Sequence, residues 1–302
     1  MTLEPGGTPR KRLHADEVEV DVALARTLLA AQFPQWADLP IWEVATTGTD
    51  NAIYRLGEQL GIRMPRIHWA LAQIAKEWEW LPRLAPRLPA ALPEPVAHGE
   101  PGCGYPYPWL VYRWLDGQDA MTSPVRDWCS LAEEVASFLR ALQELDPKGA
   151  PPAGARGGSL RAQDAETRHA IAQLRGLDMA RAVAVWEEAL SAEPWAGPPV
   201  WVHADLLPGN VRVRGGALAG IIDWSAAGAG DPACEAMLGW SMPARARAVY
   251  RSALGFDDAT WARGRGWALQ QAALFIPYYA ETIPAGVAAA RSRLEAVLRA
   301  PY

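Results

Sequence analysis

Three short stretches carry the side chains best suited to chemistry. The segment Val200 to Val213 reads VWVHADLLPGNVRV, with Asp205 and Asn210 five residues apart across Pro208-Gly209. That turn lets the chain double back on one site. The run Leu218 to Ile222, interrupted by two small residues, ends in Asp223-Trp224, and Gly230-Asp231-Pro232 follows. A carboxylate at a strand end is held rigidly. Phosphoryl transfer asks for such a set. Little covalent help is needed, but the incoming hydroxyl must be held in line and the phosphate charge neutralised. One carboxylate must face the hydroxyl, and a further carboxylate with a neutral oxygen ligand suits magnesium, a hard ion that prefers oxygen. Each stretch alone is ordinary turn or cap chemistry, and Gly-Asp-Pro reads as a turn and helix start, its carboxylate capping amides or bracing the neighbouring loop. Asp205, Asn210 and Asp223 together favour a site.

The joint spacing resembles the aminoglycoside phosphotransferase family, small-molecule relatives of protein kinases. Their catalytic loop reads His-Gly-Asp, four residues, Asn. A strand ending in Ile-Asp and a Gly-Asp-Pro come later. Here these are His203-Ala204-Asp205 with Asn210, then Ile222-Asp223, then Gly230-Asp231-Pro232. The resemblance implies an α+β, bilobal, protein-kinase-like fold with ATP or GTP as donor and an alcohol acceptor. It makes Asp205 the catalytic base, Asn210 and Asp223 the Mg2+ ligands, and His203 a residue that packs to shape the loop. Ala204 departs from the usual glycine; its methyl constrains the backbone slightly and removes no reacting group.

The same resemblance implies a strand cation near the α- and β-phosphates, oriented by a glutamate on the next helix. Lysine usually fills that place. Arg63 stands there in this chain, with Glu77 as partner and Arg66 as a competing candidate. Arginine keeps the charge, but its fork is not interchangeable with an ammonium. Thr46 to Asn51 resembles the family's short polar phosphate loop, with Thr47, Thr49 and Asn51 as donors. Tyr112 to Leu115 matches the hinge between lobes, so Tyr112 and Trp114 are expected at the nucleotide. The resemblance runs from Trp42 to the C-terminal helices, and its specific motifs lie between His203 and Pro232.

The elements that must position these residues follow from periodicity and turn signals. Apolar residues at helical spacing predict a helix over 20–33. Strands are expected over 42–45, 53–56 and 60–64, the last two joined by Gly57-Glu58 as a hairpin. A helix over 68–84, a proline-rich stretch over 86–108 and a buried strand over 109–115 complete a strand-rich half. Helices over 130–145, 161–174 and 180–190 come next, with a Pro/Gly-rich loop over 150–158. Short strands and loops fill 200–231, and the remainder is helical. The expected lobes are 1–115 for the nucleotide and 116–302 for the catalytic loop and acceptor site. The first dozen residues, rich in Gly, Pro and basic side chains, read as a mobile tail.

Composition narrows the function. A formal charge of −5 and a pI near 5.6 argue against a general nucleic-acid binder. No apolar run approaches the roughly 20 residues of a membrane helix, and the acidic residues after Arg10-Lys11-Arg12 argue against an export signal. Three scattered cysteines read as free thiols in a reducing cytoplasm, so a cytoplasmic location is expected. After residue 200 eight acids face ten arginines, a poor lining for a polycation. Trp186, Trp195, Trp240, Trp261, Trp267, Phe275, Tyr278 and Tyr279 supply rings, many of them for the core. A sugar- or nucleoside-containing antibiotic is therefore preferred over a true aminoglycoside as acceptor. The rival readings are a metabolic kinase of the choline, homoserine or thiosugar type, and a catalytically inactive kinase fold used as a binding module.

Overall fold

The computed structural model describes residues 16–44 and 50–300. The first dozen residues and the loop threonines Thr47 and Thr49 lie outside them. Helix α1 (Val22–Gln32) starts where the Asp21 carboxylate accepts from the Leu24 amide at 2.7 Å. Its Ala25, Leu28 and Leu29 are buried against a five-stranded antiparallel sheet. The strands are β1 (Ile41–Glu43), β2 (Asn51–Leu56), β3 (Leu60–Pro65), β4 (Glu94–Gly99) and β5 (Trp109–Arg113), in the order β1-β2-β3-β5-β4. Gly57, at φ +55°, turns β2 into β3 where a side chain is strained.

Between β3 and β4 runs α2 (Leu71–Leu84), which buries Ile74, Glu77, Leu81 and Leu84. These fall at helical spacing on one stripe, so a glutamate occupies a place in an otherwise apolar face. A buried carboxylate needs a partner, and Arg63 on β3 supplies it.

The second half is helical: α3 (Trp128–Gln143), α4 (Asp164–Gln173), α5 (Met179–Ser191), α6 (Ala244–Leu254), α7 (Asp258–Tyr278) and α8 (Pro284–Arg299). The expected helix from Arg161 opens as a tight 3-10 turn, Leu160–Gln163, before α4. Short strands stand among the helices. β6 (Gln118–Asp119), β8 (Val211–Arg214) and β9 (Ala217–Ile221) form one sheet in the order β6-β8-β9, and β7 (Val200–Val202) pairs antiparallel with β10 (Gly228–Gly230). The chain after Asp231 continues as a 3-10 run, Pro232–Ser241, buried from Pro232 to Trp240.

Two hydrophobic cores result. The smaller joins α1 to the sheet through Leu28, Tyr54, Ile62 and Trp109. The larger fills the helical half, with Trp186, Trp201, Trp224 and Trp267 enclosed. Leu81 and Leu84 belong to the larger core. Helix α2 therefore carries its buried glutamate on a stripe rooted in the helical half.

Candidate active site

Strand β7 ends at Val202, and the next three residues form the centre of the site. Ala204 sits in the left-handed region at φ +62°. A glycine adopts that conformation freely, whereas a methyl there costs about 1 kcal/mol, more than the slight constraint its sequence suggests. Glu235, wholly buried in the run after Asp231, accepts from the His203 amide at 2.5 Å and the Ala204 amide at 3.2 Å. Burial pushes its carboxyl up to about 7 against the pull of those two amides.

His203 is enclosed, and burial lowers it to about 4, so it is neutral near pH 7. Its Nδ1 accepts from the Asp205 amide at 3.3 Å, which leaves the proton on Nε2, 3.0 Å from the Ile222 carbonyl. One imidazole thus ties the loop that carries Asp205 to the residue before Asp223.

The Asp205 carboxylate, 24% exposed, receives Arg156 Nη2 on Oδ1 at 2.7 Å. Burial raises its pKa and Arg156 pulls the other way. Arg156 also donates from Nε to the Ala204 carbonyl at 3.3 Å. Its loop is stitched in place by Gly154 N–H to Ala226 O at 2.8 Å and Asp231 N–H to Gly157 O at 2.9 Å. A side chain at Gly230 would lie 2.5 Å from the Gly157 oxygen, so this close approach requires the glycine. Asp231 caps the following helical run through the Ala233 amide at 2.9 Å and receives Arg263 at 2.8 and 3.2 Å.

Asn210 donates from Nδ2 to the Asp205 carbonyl at 2.8 Å, which leaves its Oδ1 to accept. Asp223 is the second non-glycine residue here with a left-handed backbone, at φ +62°. Its Oδ1 is buried with no hydrogen-bond partner, and Arg63 Nη2 stands 3.6 Å away. Burial works to raise its pKa, but Arg63 and a bond from Ser225 hold it below the ordinary value. An orphaned carboxylate oxygen and a free carboxamide oxygen are hard donors, the set magnesium takes.

Arg63 donates to Glu77 at 2.6 Å and to Gln73 at 3.0 Å. Arg66 points elsewhere, pairing with Glu43 at 3.3 Å. Lys76 of α2 reaches across to the carbonyls of Ser225 and Ala227, the second at 2.9 Å.

Arg63, Glu77, Asn51, Tyr112, Trp114, Asp205, Asn210 and Asp223 all line one cleft of about 900 Å3, whereas Arg66 is not among its lining residues. The Trp114 amide is already spent on the Gln59 carbonyl at 2.8 Å, so Trp114 offers the cleft its ring rather than its N–H. The sequence alone does not single out Arg156, Glu235 or Arg293 as members of this neighbourhood. Arg156 lies in a Pro/Gly-rich loop, Glu235 in an apolar run and Arg293 in a terminal helix, none in a motif. An acid amid the apolar stretch after Asp231 is the one signal that points to a buried anchor.

The family model of the phosphotransferase enzyme family matches residues 41–267. The chain belongs to the phosphotransferase enzyme family. It is a phosphotransferase. Its kinase-like fold is shared with solved structures of low identity. The GDP and kanamycin complex of APH(2")-IIia aligns at TM-score 0.72 and 18% identity, over 90% of this chain and 97% of that one. The macrolide 2'-phosphotransferase MphH from Brachybacterium faecium aligns at 0.59 and 23%, over 91% and 97%. A macrolide 2'-phosphotransferase type I gives 0.62 and 22%, over 91% and 98%. No curated protein matches the chain by sequence. Within this phosphotransferase, among the described residues, no helix is long and apolar enough to cross a membrane.

Proposed function

We propose that this phosphotransferase moves the terminal phosphoryl group of ATP or GTP onto a hydroxyl of a small molecule, a sugar- or nucleoside-containing antibiotic, and so confers resistance to it. The observation that carries this is the convergence of Asp205, Asn210, Asp223 and Arg63 on one cleft. The acceptor hydroxyl meets Asp205 at Oδ2, the oxygen that Arg156 leaves free. Asp205 takes its proton as the acceptor oxygen bonds to the γ-phosphorus and the bond to the leaving nucleoside diphosphate breaks. Arg63, aimed by Glu77, holds α- and β-phosphate oxygens, while Tyr112 and Trp114 border the base and Asn51 the phosphates. Asn210 and Asp223 would hold a magnesium ion, which when bound neutralises charge on the phosphates.

The antibiotic acceptor is supported by structural likeness to an aminoglycoside enzyme and to macrolide enzymes. Transfer of labelled γ-phosphate from ATP and from GTP, with magnesium, tests the reading over a panel of antibiotics and of choline, homoserine and thiosugars. A labelled antibiotic is the expected product. Label on the metabolic alcohols alone refutes the resistance role, and no magnesium-dependent nucleotide binding refutes the enzyme reading.

A further inference from the structure

Arg293 has no task in the reaction just described. Five arginines are buried in the described chain. Arg63 has Glu77, Arg66 has Glu43, Arg263 has Asp231 and Arg265 has Glu188. Arg293, only 5% exposed, has neutral oxygens alone: Ser241 Oγ at 3.4 Å and Gln271 Oε1. Its Nε has no partner. Burial pulls its pKa down to about 10, Asp205 works against that, and Arg156 adds repulsion. A buried cation without a counter-ion is costly, so an anion brought by a ligand is the natural complement.

The surroundings fit that complement. Arg293 of α8 lines the same cleft as Gly286 and Ala289 of its own helix and as the stacked rings of Phe275 and Tyr279 at the end of α7. Asp205, the carboxylate whose charge acts on Arg293, is already paired with Arg156. A polycation entering here meets two guanidinium groups and one occupied acid.

We propose that the acceptor carries, beside its reacting hydroxyl, a compact oxyanion, carboxylate or phosphate, which Arg293 binds with Arg156 alongside. The proposal rests on the phosphotransfer reading and narrows its acceptor to an acidic one. The hydroxyl then lies at Asp205 while the oxyanion neutralises the buried charge, and the ring wall covers the apolar body of the molecule.

The test titrates the native protein, saturated with a non-hydrolysable ATP analogue and magnesium, with four probes: glycerate, glycerol 3-phosphate, glycerol and kanamycin. Binding is read as a shift in Tm and in tryptophan emission. One or both anionic probes should stabilise the protein, while glycerol and kanamycin do not; which anion responds separates carboxylate from phosphate. Arg293→Gln should weaken that binding about ten- to a hundredfold, the value of a charge-assisted contact, with nucleotide affinity unchanged.

The proposal is overturned by an equal response to glycerol, by preference for kanamycin, or by no response to either anion. It is equally overturned if anion binding survives in Arg293→Gln, or if that variant loses nucleotide affinity. Should the variant not fold, the ranking of probes on the native protein decides alone. Failure of the phosphotransfer reading is distinct, because it appears beforehand as absent magnesium-dependent binding of the nucleotide analogue.

Discussion

Ala204 and Asp223 both hold left-handed backbone conformations, and both flank the site where the proposed base and metal ligands meet. Strain of this kind persists only when the surroundings over-determine it; here Glu235 holds the His203 and Ala204 amides, and the His203 ring holds the Ile222 carbonyl just before Asp223. Asp205→Asn keeps the shape but loses the proton acceptor. Turnover is expected to fall by about a hundredfold or more with nucleotide affinity nearly intact; near-normal turnover removes Asp205 from the role. Arg63 and Arg66 separate just as cleanly. Arg63 lines the cleft between Glu77 and Asp223, so Arg63→Ala should weaken nucleotide binding by about 1.5–3 kcal/mol, with Arg63→Lys recovering part. Arg66→Ala should change it little. Calorimetry on the three variants checks the order, and a larger loss from Arg66→Ala reverses the assignment.

Among the elements, the buried run after Asp231 supports the site directly, because Glu235 holds the His203 and Ala204 amides from within the core. A carboxyl raised to about 7 when folded binds its proton more tightly in the native chain than in the unfolded one. The stability it adds is complete below the ordinary glutamate value and is lost as pH rises through 7, at most about 3 kcal/mol. Glu235→Gln keeps the accepting oxygen and cannot ionise. Thermal unfolding followed from pH 5 to pH 8 should therefore decline less steeply in that variant than in the native protein. Parallel curves would show that Glu235 does not titrate. His203, lowered to about 4, works with the opposite sign: its contribution is present above the ordinary histidine value and is lost as pH falls toward 4.

At the scale of the molecule the two cores are joined by charge. Arg63 of the sheet faces Asp223 of the helical half at 3.6 Å, and Lys76 of α2 grips the carbonyls that follow Asp223. We place the nucleotide between these halves, with the lobe boundary after Leu115. Asp223→Ala is then expected to abolish the magnesium-dependent part of nucleotide binding while residual metal-free binding persists. Titration with and without magnesium reads it directly, and unchanged metal dependence in the variant sinks the ligand role.

The amino-acid sequence alone determined the elements and the order of the chemical groups. Strand and helix periods, the Gly57 turn and the Asp205-to-Asn210 and Asp223 spacing are local properties, written in neighbouring residues. The glutamate of α2 was expected through the family resemblance alone, and its burial on one stripe with Ile74, Leu81 and Leu84 is a finding of the fold. Only the tertiary structure decided which cation answered it, Arg63 rather than Arg66, because strand register sets which side chain faces the helix. It alone brought Arg156 and Arg293 to Asp205, from positions 49 residues before it in the chain and from the last helix. No local pattern announces such neighbours. Their meaning is electrostatic, and the energy of a charge depends on burial and on partners that are distant in sequence until the chain folds.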